Sequence, residues 1–261
     1  MRYLNLMLNY TDIGTGPTLL IAHGLFGSAR NWGVIAKRLS DTRRVISVDM
    51  RNHGDSPRFD SNSYTDMADD LVQVIEHIGA PMDVLGHSMG GKTAMTLAIT
   101  RPDLVRSLII ADIAPVQYGH TQMHLVTAMQ AIDLSVISRR SDAIAQMDAQ
   151  NVDPDVQPFL LQSLDVKAKG WKLNLDVLGA QMPDIIGFPD LSGAYDGPTL
   201  FLSGGNSNYV LPEHRSLIKP LFPHARFAKI PDTGHWLHAE KPRKFEGSVR
   251  VFLDAVQAKS G

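Results

Sequence analysis

The sequence contains no cysteine among its 261 residues. This absence excludes disulfide bridges, thiolate nucleophiles and zinc sites built on thiolates, and it is typical of a cytoplasmic protein. Long hydrophobic runs are also missing, because polar side chains interrupt every stretch of about eighteen residues. The N-terminus, interrupted by Asn5, Asn9 and Asp12, does not resemble a signal peptide. The sequence therefore predicts neither a membrane span nor secretion.

An excess of charge of one sign is absent as well. The 25 basic and 27 acidic residues give a net charge of −2, which offers no electrostatic reason to bind nucleic acid or an anionic membrane surface. What is present is an apolar fraction of 44% in a chain long enough for a sizeable core. We expect one globular domain with an insertion, and these features leave its oligomeric state open.

Short apolar runs alternate with amphipathic helical patterns along most of the chain. The predicted strands are residues 18–22, 45–48, 82–85, 108–111, 199–202 and 226–230. The predicted helices are residues 32–39, 66–78, 90–99, 213–221 and 242–256. Near-continuous apolar strands are typical of parallel sheets that are covered on both faces. The alternation therefore predicts an α/β fold, with a mostly parallel twisted sheet and helices on both faces.

Residues 115–197 interrupt this alternation. They hold helical patterns at residues 124–137, 142–150, 156–164 and 172–178, and no convincing strand. We predict a helical cap, inserted after the sixth strand of a core made of residues 1–114 and 198–261. A glycine-rich turn at residues 14–17 is predicted to follow an N-terminal antiparallel hairpin.

Residues 86–90 have the sequence G-H-S-M-G, which fits the G-x-S-x-G pattern of a nucleophile elbow. In such an elbow the glycines on either side of the serine let a strand and a helix approach closely. The bare pattern recurs by chance, but here an apolar strand precedes it and a helical pattern follows. The context predicts that Ser88 is a nucleophile exposed at the carboxyl edge of the sheet.

A serine hydroxyl needs a neighbouring base to become nucleophilic. Among ten histidines, His235 lies in a loop between the last predicted strand and the last predicted helix, so it can project over the edge where Ser88 emerges. His23 and His53 are expected to hydrogen-bond the backbone, and His238 is expected to be a surface or packing residue. His87, the neighbour of Ser88 in the elbow, is expected to point away from it.

His120 and His124 have the i, i+4 spacing of a helical metal pair. The residues between them lack the glutamate of H-E-x-x-H. We therefore predict no metal site, and the proposed chemistry needs no cofactor.

Four motifs in a fixed order resemble those of the α/β-hydrolase superfamily, and most of all its small bacterial YbfF-like esterases. They are H-G-L-F-G-S at residues 23–28, D-M-R-N-H-G-D-S at 49–56, the Ser88 elbow, and G-H-W at 234–236. The resemblance extends over essentially the whole chain. It implies the α/β-hydrolase fold and serine esterase activity.

The acid that completes a catalytic triad is less obvious. Its usual place in this superfamily, after strand 199–202, falls at Asn208, which carries no negative charge. Asp112, which follows strand 108–111, is an alternative carboxylate at the same edge, and its placement resembles the YbfF-like pattern. Asp112 could instead only cap the turn that follows it. Asp232 is closer to His235 in sequence, but in so tight a loop it is expected to form a turn.

An oxyanion hole requires backbone N–H donors at fixed positions. Met89, at the start of the helix after the elbow, is one expected donor. The second is expected from the loop after the first strand, with Leu25 preferred over Phe26. The loop at residues 49–54 is predicted to support the sheet edge.

Side chains of Phe26, Trp32, Met123 and Trp171 are candidates to line a substrate pocket, together with Leu125. For each of them alone the sequence favours ordinary core, because apolar residues at helical spacing fill interiors first.

The sequence thus predicts a serine hydrolase that cleaves small-molecule carboxylic esters or acyl thioesters through an acyl-enzyme. One alternative is a cofactor-free carbon–carbon bond hydrolase or lyase, for which an arginine of the cap, Arg139 or Arg140, would bind a carbonyl group. Another is a non-catalytic binding protein on the same fold. Serine at position 88 disfavours enzymes that use an aspartate nucleophile there.

Overall fold

The computed structural model describes residues 7–260. Seven strands form one sheet in the order β1-β3-β2-β4-β5-β8-β9. Only β1 runs antiparallel to its neighbour, β3, and the other neighbours are parallel. The strands of this sheet are β1 Tyr10–Ile13, β2 Thr18–Ala22, β3 Arg44–Val48, β4 Met82–His87, β5 Val105–Ala111, β8 Thr199–Gly204 and β9 Ala225–Ile230. The predicted α/β architecture is confirmed.

Helices cover both faces of the sheet. Those outside the insertion are α1 Gly33–Leu39, α2 Tyr64–Ile78, α3 Met89–Thr100, α9 Arg215–Leu221, α10 Leu237–Glu240 and α11 Pro242–Ser260. Single 3₁₀ turns lie at Ala29–Trp32, Pro102–Leu104 and Pro212–His214. None of the described helices combines the length and the apolar character needed to cross a bilayer.

The alternation of side chains along each strand divides the core into two layers. In β2, Leu19 and Ile21 pack with α1 and α11 on one face, whereas Leu20 and Ala22 join the larger cluster with α2 and α3. All six residues of β4 are buried. This two-sided burial explains why the parallel strands are near-continuous apolar runs in the sequence.

The helical insertion, which we define as residues 115–197, lies between β5 and β8. It contains α4 Met123–Gln130, α5 Ile144–Ala149, α6 Gln157–Leu160, α7 Leu175–Ala180 and α8 Met182–Ile186, with 3₁₀ turns at Leu134–Val136, Arg140–Ala143 and Leu161–Ser163. Its helices are shorter than the sequence patterns predict. It also contains a two-stranded antiparallel ribbon, β6 Leu164–Asp165 with β7 Gly170–Trp171, which corrects the prediction of no strand in this segment.

The N-terminal region differs in part from the prediction. Strand β1 pairs antiparallel with β3. The hairpin predicted before the turn at residues 14–17 includes residues 1–6, which lie outside the described residues. The described residues place five strands before the insertion, one fewer than the predicted six.

The carboxyl ends of the central strands lie side by side. His87 at the end of β4 is in register with Ala111 at the end of β5, and Ala111 is in register with Leu202 of β8. Residues that follow these strands, such as Ser88 and Asp112, therefore emerge next to one another along one edge of the sheet.

A buried ionic network lies nearer the opposite, amino edge. Asp83 of β4 accepts hydrogen bonds from Arg43 Nη1 at 3.3 Å, from Arg106 Nε at 2.9 Å and from Ser107 Oγ at 2.7 Å. The side chains of Asp83 and Arg43 are each 2% exposed. Arg43 Nη2 also donates to the exposed Asp254 carboxylate at 2.9 Å. Because the charges of Asp83 and Arg43 are removed from water, each depends on its ion-pair partners for compensation.

We expect Asp83→Ala to lower the free energy of unfolding by roughly 3 to 5 kcal/mol, because the Arg43 guanidinium loses its buried partner and keeps only the exposed Asp254. Urea denaturation measures this change. The matched control is Asp12→Ala, which breaks the half-exposed pair with Arg44 and should cost less than about 1 kcal/mol. Equal losses in the two variants would contradict the importance of the buried network.

Candidate active site

Ser88 occupies a sharp turn between β4 and α3. Its backbone has φ 52° and ψ −119°, a conformation that non-glycine residues rarely adopt. A Cβ on Gly86 would lie 2.2 Å from the Gly90 carbonyl oxygen, and a Cβ on Gly90 would lie 2.4 Å from that of Ala22. Both glycines are therefore required for the close approach of strand and helix, which is the geometry of a nucleophile elbow.

His235 lies in the loop after β9, and Asp112 directly follows β5. Nδ1 of His235 and Oδ2 of Asp112 are 2.8 Å apart. Asp112 is fully buried and has a positive φ of 51°. Because an ionised carboxylate only accepts hydrogen bonds, Nδ1 carries the proton and Nε2 is left as the acceptor. The structure thus brings together the predicted base and the preferred acid.

Two further groups donate to the Asp112 carboxylate. Gly204 N–H, at the end of β8, binds Oδ1 at 3.0 Å, and the Ser207 hydroxyl binds Oδ2. These bonds compensate the buried charge and fix the plane of the carboxylate. Asn208, where the superfamily usually has its acid, is exposed, and among the described residues its side chain makes no hydrogen bond.

His235 is held both at its ring and at its backbone. Tyr209 stacks on it with ring centroids 4.0 Å apart and an angle of 22° between the planes. His87 Nε2 donates a hydrogen bond of 2.9 Å to the His235 carbonyl oxygen. Asp232, the alternative acid, has a positive φ of 53° and pairs with Lys241, as expected of a turn residue.

Ser88 and His235 line the same cavity. Within residues 7–260, no hydrogen bond joins the Ser88 hydroxyl to the His235 ring. Such catalytic bonds are often long before substrate binds. The Ser88 N–H instead binds the Ala111 carbonyl at 3.1 Å, which ties the elbow to the strand that precedes Asp112.

Two backbone donors remain open toward the cavity. Leu25 and Met89 both line it, and their N–H groups form no hydrogen bond within the described part of the chain. The N–H of Phe26, the second choice from the sequence, is occupied by His53 Nε2 at 3.2 Å. The arrangement favours Leu25 and Met89 as the oxyanion donors.

The loop at residues 49–54 supports this edge, as predicted. Asp49 accepts hydrogen bonds from the N–H groups of Ala29 at 2.7 Å and Asp55 at 2.9 Å. A Cβ on Gly54 would lie 2.3 Å from the Asp49 carboxyl carbon, and Gly54 has a positive φ of 60°. His23 Nε2 accepts from Met50 N–H at 2.9 Å, which confirms its expected backbone-bonding role.

The cavity has a volume of about 1150 Å³. Phe26 and Trp32 line it, and the insertion contributes apolar side chains that include Leu125 and Phe159. Met123 and Trp171 do not line it, which corrects their assignment. The Met123 thioether packs near Gly179, and the Trp171 indole N–H donates to the Met129 carbonyl at 3.0 Å, so both belong to the interior of the insertion.

The residues of the alternative hypotheses lie elsewhere or have other partners. Arg139 pairs with Asp142, and Arg140 donates to backbone carbonyls. Neither arginine lines the cavity that contains Ser88 and His235. His120 contacts the Tyr209 hydroxyl at 2.9 Å. Among the residues that the structure describes, no cluster of three or more His, Asp or Glu could hold a metal ion.

The sequence comparisons identify the class of protein. Residues 19–247 match the Alpha/beta hydrolase family, and the chain belongs to that family. It is 42% identical to the sn-1-specific diacylglycerol lipase ABHD11 of Mus musculus, over 97% of this chain and 86% of the lipase. It is 40% identical to Esterase YbfF of Escherichia coli (strain K12), over 90% of this chain and 92% of YbfF.

Solved structures agree with this class. A marine microorganism esterase superposes with a TM-score of 0.90 and 37% identity, covering 95% of this chain and 99% of the esterase. The prediction of an ester hydrolase on the α/β-hydrolase fold is confirmed.

Sequence reasoning missed three residues around the candidate site. Ser207 and Tyr209 flank Asn208 and contact the Asp112–His235 pair. From the sequence, only Asn208 of this loop was considered, as the usual position of the acid. His87 was expected only to point away from Ser88, yet it binds the backbone of His235. The sequence signal that could have identified them is their position: His87 ends β4, and Ser207 and Tyr209 follow β8, so all three lie at the carboxyl edge of the sheet.

Four histidines near the site are buried in neutral form. Burial lowers the pKa of His53 and of His238 to about 3, and it also lowers the pKa of His23 and of His87. An unfolded histidine titrates near pH 6.5. As pH falls below about 6.5, the unfolded chain therefore binds protons that the native protein excludes, and stability decreases toward pH 3.

His238→Phe tests this linkage. The His238 ring stacks on Trp32 at 4.2 Å with a 6° angle, and its Nδ1 has no hydrogen-bond partner, so phenylalanine preserves the packing. Between pH 6 and pH 4 the variant's free energy of unfolding should fall less steeply than the parent's, by about 1.4 kcal/mol per pH unit. Urea denaturation at several pH values measures both slopes.

The control for this experiment is His77→Gln, at an exposed position of α2. It should keep the slope of the parent. A His238→Phe slope equal to that of the parent would show that His238 is not buried neutral.

Proposed function

We propose that the protein hydrolyses carboxylic esters with Ser88 as nucleophile, His235 as base and Asp112 as the acid that orients His235. The observation that carries the proposal is the 2.8 Å contact between His235 Nδ1 and the buried Asp112 carboxylate, at the edge where the Ser88 elbow emerges. Kinship with esterases and lipases supports it.

In the proposed reaction, Ser88 Oγ attacks the ester carbonyl while His235 Nε2 takes its proton. The N–H groups of Leu25 and Met89 bind the negative oxygen of the tetrahedral intermediate, and each donor of this kind contributes about 3 to 4 kcal/mol. His235 returns the proton to the leaving alkoxide. Water, deprotonated by the same nitrogen, then releases the acid from Ser88.

We further propose that residues 115–197 act as a cap domain on a core of residues 1–114 and 198–261. Its apolar side chains Leu125, Val156 and Phe159 face the cavity and suit the acyl chain of a lipophilic ester. The name of the murine relative, a diacylglycerol lipase, agrees with a substrate of this kind.

Esters of neutral alcohols fit the cavity better than coenzyme A thioesters. The carboxylates of Asp153, Asp155 and Glu240, three exposed residues, line it. The cations that line it are Arg30 and the buried Lys92, and Lys92 donates to backbone carbonyls. An acidic rim repels the phosphates of a nucleotide thioester. The cytoplasmic location and the absence of a nucleic-acid partner stay predictions.

Ser88→Ala should abolish turnover of p-nitrophenyl esters, leaving at most the weak catalysis of the oxyanion hole. The substrates tested are p-nitrophenyl esters and acyl-coenzyme A thioesters of matched acyl length. We expect the parent protein to hydrolyse the thioesters more slowly than the esters. The matched control is Ser203→Ala, a buried serine at the end of β8. Ordinary turnover by Ser88→Ala would overturn the mechanism, and an inactive parent would favour a binding protein.

Asp112→Asn should lower kcat by about 10⁴-fold, as the corresponding change does in an unrelated serine protease, because the amide cannot balance the imidazolium. Asparagine still accepts from Gly204 N–H, so the loop is preserved. Adding Ser207→Asp places a carboxylate where Ser207 now contacts Asp112, and it should restore part of the rate. The rate should be restored only in part, since a carboxylate misplaced by about 1 Å lowers the rate roughly 10²-fold.

The control for the acid is Asp232→Asn, which should retain the activity of the parent. Steady-state kinetics with one p-nitrophenyl ester compares all variants. If Asp112→Asn is nearly as active as the parent and Asp232→Asn is not, the acid is Asp232.

A further inference from the structure

Lys92 is a buried cation that the proposed mechanism does not use. It lies on α3, four residues after Ser88, and is 1% exposed. No carboxylate among residues 7–260 forms an ion pair with it. Burying an ammonium group without an acid is costly, so its compensation must come from other groups. In agreement, burial lowers the pKa of Lys92 to about 7.

The groups that compensate Lys92 are backbone carbonyls at the start of the helical insertion and at the end of its last helix. Nζ donates to the Val116 carbonyl at 2.9 Å, to the Ile186 carbonyl at 2.9 Å and to the Gly187 carbonyl. Val116 lies where the chain enters the insertion. Ile186 and Gly187 lie at the end of α8, its last helix. One ammonium group thus joins the start and the last helix of the insertion to the helix that carries Ser88.

The rings of two tyrosines lie next to the Lys92 ammonium group. Lys92 Nζ lies 4.7 Å from the ring centroid of Tyr118 and 5.8 Å from that of Tyr64. The Tyr64 hydroxyl donates to the Ile185 carbonyl at 2.6 Å, and the Tyr118 N–H donates to the Ile186 carbonyl at 3.0 Å. The carboxyl end of α8 is therefore bound by side chains of both α2 and α3.

This junction also connects to the candidate site. The Tyr118 hydroxyl donates to the Tyr209 carbonyl at 2.8 Å, and Tyr209 stacks on His235. Lys92 itself lines the cavity. An ammonium group has three N–H donors, and all three are already used by carbonyls. Lys92 therefore has no donor free for a substrate, which argues against a substrate-binding role.

We propose that Lys92 is a positioning residue that fixes the start and the last helix of the insertion to the nucleophile helix and thereby sets the width of the acyl cavity. The proposal rests on the proposed function, because the cavity matters only if an ester occupies it. Loss of the ammonium frees the start and the last helix of the insertion. Binding of a long acyl chain, which needs the cavity wall, is then weakened more than the chemistry at Ser88.

Because the chain contains no cysteine, the terminal ammonium group of residue 92 can be replaced chemically without a change in side-chain length. Lys92→Cys introduces the only thiol of the chain. Alkylation in denaturant with 2-bromoethylamine, followed by refolding, gives a side chain of lysine's length that ends in an ammonium group. Alkylation with 1-bromopropane gives an uncharged side chain of the same length, and the parent protein taken through the same steps is the control.

We expect the propyl form to raise KM for p-nitrophenyl decanoate about tenfold or more, because three charge-assisted hydrogen bonds are lost. Its kcat for p-nitrophenyl acetate should stay within about twofold of the parent, since the Ser88 geometry is retained. The aminoethyl form should restore the KM. Hydrogen exchange should be faster at residues 116–118 and 185–188 in the propyl form alone.

A propyl form with the same KM and exchange as the aminoethyl form would overturn the proposal, and so would an equal loss of kcat for acetate and decanoate. If the propyl form does not refold, Tyr64→Phe removes the neighbouring bond to Ile185 and should raise the decanoate KM in the same direction. An unchanged KM in that variant would overturn the proposal. A parent that turns over neither ester would instead refute the proposed function.

Discussion

The buried carboxylate of Asp112 is the interaction on which the arrangement of the site depends. It accepts hydrogen bonds from Gly204 N–H, from the Ser207 hydroxyl and from His235 Nδ1, and its own N–H binds the Leu202 carbonyl. A fully buried charge is tolerated only when such bonds replace its hydration. The ends of β5 and β8 and the loop after β9 are thereby held in one geometry.

This geometry accounts for an acid that follows β5 rather than β8. The loop after β8 supplies no carboxylate to the site. It supplies the Ser207 hydroxyl, which binds Asp112, and the Tyr209 ring, which stacks on His235. His87, beside the nucleophile, fixes the backbone of His235. The base is therefore positioned through its ring, its proton and its carbonyl group.

The core of the fold was predictable because its strands are buried on both faces. Strand β2 was predicted with the ends that the structure shows. The sequence also predicted that the glycines around Ser88 let strand and helix approach closely, and the structure leaves no space for a Cβ at either glycine. Local hydrophobicity and steric limits determine these features. The elbow and His235 followed from the order of strands, loops and helices.

The insertion was less predictable because its short helices depend on tertiary contacts. The pattern predicted a helix to residue 137, but α4 ends at Gln130, and the Asp133 side chain binds Ser135 N–H in a competing turn. The apolar pattern of Met123 and Trp171 could not show that they pack inside the insertion rather than toward the cavity. Lys92 was not recognised because its partners are backbone carbonyls about 24 to 95 residues away, which no local pattern indicates.

The most direct measurement of the central claim is the stoichiometry and location of a covalent adduct. A p-nitrophenyl alkylphosphonate is a substrate mimic that stops at the stage of the phosphonylated nucleophile. The account predicts release of one p-nitrophenolate per chain, with the phosphonyl group located by peptide mass spectrometry on Ser88 and with labelling slowed by an ester substrate. No adduct, or an adduct on another residue in a preparation that hydrolyses esters, would contradict it.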